Sequence, residues 1–263
     1  MSSVSRRTVL AGTAAAAVAV AASGTPAAAG GQKVKPTIVL VHGAFADAAG
    51  WSGVVKRLIR AGYPVLAPAN PLRGVVSDSA YLASVLATVA GPIVLVGHSY
   101  GGFVITNAAT GNPNVKALVY VAAFAPDAGE DLAHLQNHFP GTELTLDALD
   151  FRPHLDGGTD GYVKREFFHR VFAGDLSPAD ADVLWATQRP GDTTTLQTAS
   201  GTPAWRTIPS YFLIARDDRL IPAAVQRFMA ERAGARTIEV RSSHVALISQ
   251  PKAVADLIVR AAR

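Results

Sequence analysis

Short apolar runs alternate along this chain with stretches whose apolar residues recur every three or four positions. The run at 37–41 is β-branched and nearly continuous, as expected of a strand covered on both faces; 93–96 reads as a buried strand, 116–122 and 208–215 as further strands, and 236–240 as a short one. A weaker run at 63–68 is interrupted by prolines. Between them, Trp51, Val54, Val55, Leu58 and Ile59 stand at i, i+3, i+4, i+7 and i+8, the stripe of a helix packed on a sheet. Leu82, Val85, Leu86 and Val89 form a second stripe; Val225, Phe228 and Met229 a third. Val254, Leu257, Ile258 and Ala261 form the last. Strand–helix alternation predicts an α/β fold with a mostly parallel central sheet and helices on both faces.

Residues 127–207 break this rhythm and hold much of the chain's aromatic and histidine content. They suggest helices, over 161–172 and 178–187, and no strong strand. The expectation is a helical cap inserted into a single domain spanning residues 30–263.

Composition adds a location. A twin arginine, Arg6-Arg7, precedes an alanine-rich apolar run at 10–22, and Ala27 and Ala29 offer an A-x-A cleavage site. Residues 1–29 read as an export signal of twin-arginine type, making the mature protein secreted. The apolar run is short for a spanning helix and is built of alanine. No later segment is long and apolar enough to span, so no stable membrane association is expected after cleavage. Removing the signal takes the formal charge from +4 to +2, with no basic run left, so nothing argues for nucleic acid. The chain has no cysteine, which excludes disulfides and thiolate metal sites.

The chemistry centres on Gly97-His98-Ser99-Tyr100-Gly101, a G-x-S-x-G motif between the run at 93–96 and a helix-compatible stretch. Strand, sharp turn with serine at its tip, then helix is the context of a nucleophile elbow. A serine hydroxyl needs a base, and the base needs a carboxylate to orient it. Open parallel sheets place their sites at the carboxyl ends of strands. Asp217-Asp218 follows the run ending at Ala215, and His244 alone of seven histidines lies in a loop after a late strand. Ser99 is therefore the expected nucleophile, His244 the base, and Asp218 the carboxylate, with Asp217 as rival and Asp127 a more distant one. The oxyanion needs two backbone donors. Tyr100, after the serine, and Ala44, in the turn after the first strand, are the candidates.

His134 and His138 are spaced for one helix face, but Leu135 stands where an H-E-x-x-H site needs glutamate. No dinucleotide or phosphate loop is present, and no cofactor or metal is expected. Phe45, Trp51 and Phe124 are expected to wall a substrate pocket, with Tyr100 and cap aromatics such as Phe167, Phe168 and Trp185.

These motifs, together with Gly62-Tyr63-Pro64-Val65-Leu66-Ala67-Pro68 and Ala117-Leu118-Val119-Tyr120-Val121, span nearly the whole mature chain. The chain resembles serine hydrolases of the α/β-hydrolase superfamily. His42-Gly43-Ala44 is similar to the small methylesterase and hydroxynitrile lyase branch. In this family the acid typically stands four residues before a proline, as Asp218 does before Pro222, which favours Asp218 over Asp217. The resemblance implies hydrolysis of a small-molecule carboxylic ester. Lyases of the branch carry lysine after the histidine and threonine in the Gly43 position, where this chain has Val245 and Gly43. Ser99 excludes the aspartate-nucleophile branches. A perhydrolase or haloperoxidase would share the triad, and a binding protein without catalysis would have no need of it.

Overall fold

The computed structural model describes residues 34–155 and 157–263. The export signal expected over residues 1–29 lies outside them. The elements, in chain order, begin with β1 (Thr37–Val41), α1 (Ser52–Arg60), β2 (Val65–Leu66), α2 (Val75–Ala87), β3 (Ile93–His98), α3 (Tyr100–Ala108) and β4 (Val115–Val121). Then come α4 (Leu132–Gln136), β5 (Leu149–Pro153), β6 (Thr159–Val163), α5 (Arg165–Phe172), α6 (Pro178–Ala186), β7 (Gly191–Asp192) and α7 (Thr194–Gln197). β8 (Ser210–Ala215), α8 (Ala223–Arg232), β9 (Arg236–Val240), α9 (Ala246–Ser249) and α10 (Pro251–Ala261) complete the chain.

Six strands form one parallel sheet in the order β2-β1-β3-β4-β8-β9. Every residue of β3 is buried, and successive side chains point to opposite faces, so both faces are covered. α1 packs against α10, α2 against α3, and α8 along β8. The chain winds outward from β1 in one direction and from β3 in the other. The carboxyl ends of these neighbours are the switch point at which such sheets place ligands.

Between β4 and β8 the expected helical cap is mixed. Besides α4 to α7 it holds a three-stranded antiparallel sheet in the order β5-β6-β7. The helix expected over 161–172 starts only at Arg165, because Gly161 to Val163 belong to β6. Their backbone groups pair with Leu149, Asp150 and Phe151 upstream, a partner that local periodicity does not reveal. The second expected helix forms where Ser177 caps it, its hydroxyl accepting from Asp180 N at 3.1 Å. Among the described residues no helix is long and apolar enough to cross a membrane.

Glycines let the elbow close on its neighbours. A Cβ on Gly101 would lie 2.5 Å from the Val41 carbonyl oxygen and 2.9 Å from that of His42. One on Gly97 would lie 2.6 Å from Gly101 O and Gly102 N. One on Gly102 would collide with Phe124 O. These contacts are with backbone, which cannot swing aside. Gly101→Ala should therefore cost about 1–3 kcal/mol, as overpacking does. Thermal denaturation should show Tm lowered by roughly 2–4 °C for each kcal/mol lost; an unchanged Tm would contradict the packing described.

Candidate active site

Ser99 sits between β3 and α3 with φ 55° and ψ −126°, a left-handed backbone that a non-glycine residue adopts only when its surroundings impose it. Its carbonyl oxygen accepts from Gly102 N at 3.0 Å and Phe124 N at 3.2 Å. The turn after β1 lies directly against it. A Cβ on Gly43 would be 2.6 Å from Ser99 Cβ and 3.0 Å from Tyr100 N. Ala44 and Tyr100 thus flank the serine from two separate turns, and Ala44, Ser99 and Tyr100 line one pocket.

The late loops supply a buried acid–histidine pair. His244 Nδ1 and Asp218 Oδ2 are 2.7 Å apart, with both side chains fully buried. Facing a carboxylate, Nδ1 carries the proton. Asp218 is held at its other positions: Oδ1 accepts from Leu220 N at 2.8 Å and Ile221 N at 2.9 Å, and Oδ2 also from Gln226 Nε2 at 2.9 Å. Gln226 is itself fully buried and saturated, donating to Ile221 O and accepting from Ala215 N. His244 Nε2 is buried and has no hydrogen-bond partner among the described residues. The rival Asp217 is more than half exposed and faces only Arg241, at 3.7 Å. Asp127 pairs with Arg206 on the surface.

Two other histidines frame the site. His98, the residue before the serine, donates from Nε2 to the His244 carbonyl oxygen at 2.9 Å, and the two rings lie 4.8 Å apart. His98 Nδ1 is buried without a partner. His42 Nε2 accepts from Asn70 N at 2.9 Å, so the ring is neutral and its proton is on Nδ1, facing Gly43 O. Asn70 Nδ2 returns a bond to His42 O at 3.0 Å. Asn70 and Gln226 were not singled out from sequence. A lone polar residue at a buried position leaves no periodic signal.

The Tyr100 ring is buried, and its hydroxyl donates to Asp78 Oδ2 at 2.8 Å. Burial raises the Asp78 carboxyl above its usual range, against bonds from Arg73 N, the Tyr100 hydroxyl and Gly74 N that favour its charge.

Phe45 and Phe124 line the pocket at Ser99. Trp51 does not: it is fully buried at the start of α1, edge-on to His98 at 6.4 Å. Its place on the helical stripe puts it in the core. The cap aromatics named from sequence also lie elsewhere. Phe168 is buried against Phe172, Trp185 Nε1 donates to Val163 O, and Phe167 lies beside Arg170. The cap instead brings Leu132, Leu144, Leu149, Phe151 and Leu196 to the pocket. Phe172, not anticipated, packs its ring 5.2 Å from His244 and 6.3 Å from Phe45.

His134 and His138 have rings 6.2 Å apart, and His138 stacks on Phe228 at 4.3 Å. Among the described residues, His154, Asp160 and Asp192 bring one potential ligand atom each within 4.8 Å of one another. These groups are already engaged: His154 Nε2 with Asp192 at 2.7 Å, and Asp160 with the Arg73 guanidinium. The set is an ion-pair cluster that ties the small sheet to the loop before α2.

The chain matches the model of the Alpha/beta hydrolase family over residues 38–257. It is 29% identical over 249 residues to a pyrethroid hydrolase of Sphingobium wenxiniae, covering 84% of this chain and 85% of that protein. It is 25% identical over 249 residues to methylesterase 8 of Arabidopsis thaliana, covering 86% and 89%. The crystal structure of polyneuridine aldehyde esterase superposes with a TM-score of 0.74 at 22% identity, over 86% of this chain and 99% of that one, a likeness of fold.

The buried histidines give the fold a pH dependence. Desolvation is the largest influence holding His42 and His98 below the ordinary value of 6.5, with His98 held well below it. The unfolded chain protonates both near 6.5, while the folded chain resists. Their contribution is complete above that value and is lost as pH falls toward the depressed folded values. Asp78, raised by burial from its ordinary value, acts with the opposite sign. Tm at about pH 5.5 should fall below that at about pH 7.5, and His98→Asn should flatten the slope; equal slopes would contradict the assignment.

Proposed function

Because this chain belongs to the alpha/beta hydrolase family, we propose that it is a carboxylic ester hydrolase acting through an acyl-enzyme on Ser99. The observation that carries this reading is the hydrogen-bond geometry of His244. Its Nδ1 donates to a saturated, buried Asp218, and Nε2 remains as an unpartnered acceptor. The names of its relatives, a methylesterase among them, point the same way.

In the first half-reaction Ser99 Oγ attacks the ester carbonyl carbon while its proton passes to His244 Nε2. Asp218 stays ionised and stabilises the imidazolium. The negative oxygen of the tetrahedral adduct lies between the amides of Tyr100 and Ala44, both positioned before charge develops. The adduct collapses, the C–O bond to the alcohol breaks, and the alcohol takes the proton from His244. In the second half-reaction water loses a proton to His244 and attacks the acyl carbon, releasing the acid and restoring the Ser99 hydroxyl. The pocket around Ser99 is mainly leucine and phenylalanine, with Asp192 as its one charged lining residue, which favours an uncharged apolar ester.

A perhydrolase or haloperoxidase would use the same three residues with peroxide in place of water. Val245 and Gly43 stand against the lyase reading. Arg6-Arg7 and the alanine-rich run after it support export by the twin-arginine route.

Ser99→Ala should lower kcat/KM on short p-nitrophenyl esters by about three to six orders of magnitude, and Asp218→Asn by about four. A fluorophosphonate should add one mass equivalent, on Ser99. Activity surviving intact in Ser99→Ala would overturn the assignment.

A further inference from the structure

The pocket at Ser99 is bounded on its cap side by Gln136, Leu144, Leu149 and Leu196. The same four residues line a second hollow, which adds Ala133, Asn137, Thr142, Thr145 and Leu146. They therefore form a shared wall with a cavity on each side. We propose that the outer hollow is a subsite for the apolar tail of a long-chain ester, reached from Ser99 through this wall. The proposal rests on the ester-hydrolase reading of Ser99.

Three features support it. First, the wall is thin and its leucines come from irregular or short segments. Leu144 is in a loop, Leu149 is the first residue of β5, and Leu196 is in the four-residue α7. All three are only half-buried although they sit between the main core and the cap. Leu144 and Leu196 lie outside the ladder that holds Leu149 and move at small cost. Second, the wall is fastened by side-chain bonds that are easy to exchange. Gln136 Nε2 reaches Thr142 Oγ1 at 3.1 Å and Leu144 O at 3.4 Å, and Thr142 Oγ1 donates to Leu220 O at 2.9 Å. Leu220 is two residues beyond Asp218, so the wall is tied to the loop that holds the acid. Third, no charged side chain lines the outer hollow. Leu146, 71% exposed, stands at its margin, an apolar surface that a hydrocarbon tail would cover. An anionic or cationic tail gains nothing there.

The test is a chain-length profile on p-nitrophenyl esters from acetate to dodecanoate. Ala133→Trp fills the outer hollow from α4 without reaching the inner pocket, and Leu146→Asp places a charge at its margin. Each buried methylene is worth roughly fourfold in binding, so displacing two or more from the hollow should lower the dodecanoate-to-acetate ratio of kcat/KM by about tenfold or more. Leu196→Ala, which opens the wall, should raise that ratio. A binding arm separates the subsite from the chemistry. In Ser99→Ala, calorimetric titration with the dodecanoate ester should show affinity that Ala133→Trp lowers by a similar factor. A folded Leu146→Asp variant and a folded Ala133→Trp variant that both keep the wild-type ratio would overturn the subsite. Binding that responds to Ala133→Trp with no ester turnover in the wild type would instead overturn the catalytic reading and leave the subsite standing.

Discussion

The site is centred on the strained backbone of Ser99. Ser99 is held at positive φ, a conformation that costs of order 1–3 kcal/mol unless the surroundings enforce it. They do so by contact of main chain with main chain. β3 and α3 meet across Gly97, α3 meets the end of β1 across Gly101 and the end of β4 across Gly102, and the turn after β1 meets Ser99 across Gly43. Three stretches that are distant in sequence, the elbow, the turn after β1 and the end of β4, are thereby locked around a single hydroxyl. The two amides proposed to receive the oxyanion belong to two of those segments. Their spacing is a property of the sheet's switch point rather than of either loop alone.

The histidine side is held with comparable thoroughness, and partly by the insertion. His98, inside the elbow, bonds the carbonyl of His244, so the elbow and the His244 loop share a strut. Ser243, beside the base, donates to Asp175 in the loop after α5, and Phe172 at the end of α5 packs on the His244 ring. Bonds from Ser243 and Ser249 draw the Asp175 carboxyl below its ordinary value despite the burial that opposes them, so it faces these hydroxyls as an anion. The insertion is thus more than a lid over the pocket. Part of it is the packing surface of the base.

How far the sequence could be read follows from which features are local. The parallel sheet was legible because each buried strand is an unbroken apolar run and each helix carries its own stripe. Ser99, Asp218 and His244 were legible as candidates because each follows a strand. Neighbouring carboxylates are harder: Asp217 and Asp218 differ only in which one the chain turns inward, and spacing to Pro222 had to stand in for burial. Trp51 belongs to the core rather than the pocket because it stands on the apolar stripe of its helix, a signal stronger than its aromatic character. The small sheet was missed because its strands have two to five residues and their partners lie outside any local window. The pocket's cap-side wall, expected to be aromatic, holds four leucines and one phenylalanine among polar and glycine residues.

One short segment joins these parts. Asn70 clamps His42 and so the turn that carries Ala44. Leu72 O accepts from Asp192 N of β7, and the Arg73 side chain pairs with Asp160 of β6. The amides of Arg73 and Gly74 donate to Asp78, whose Oδ2 also accepts from the Tyr100 hydroxyl. Residues 70–74 therefore bond at once to the turn holding one oxyanion amide, to the residue holding the other, and to the small sheet of the cap. The Tyr100 ring finds its purpose here. Its amide is the one proposed to receive the oxyanion, while its hydroxyl anchors the residue to the buried Asp78. A cap that moved as a rigid lid would have to break the bonds at Leu72 and Arg73, and would disturb both amides in doing so. Substrate entry is more economically served by small displacements of leucine side chains within the cap than by lifting it away.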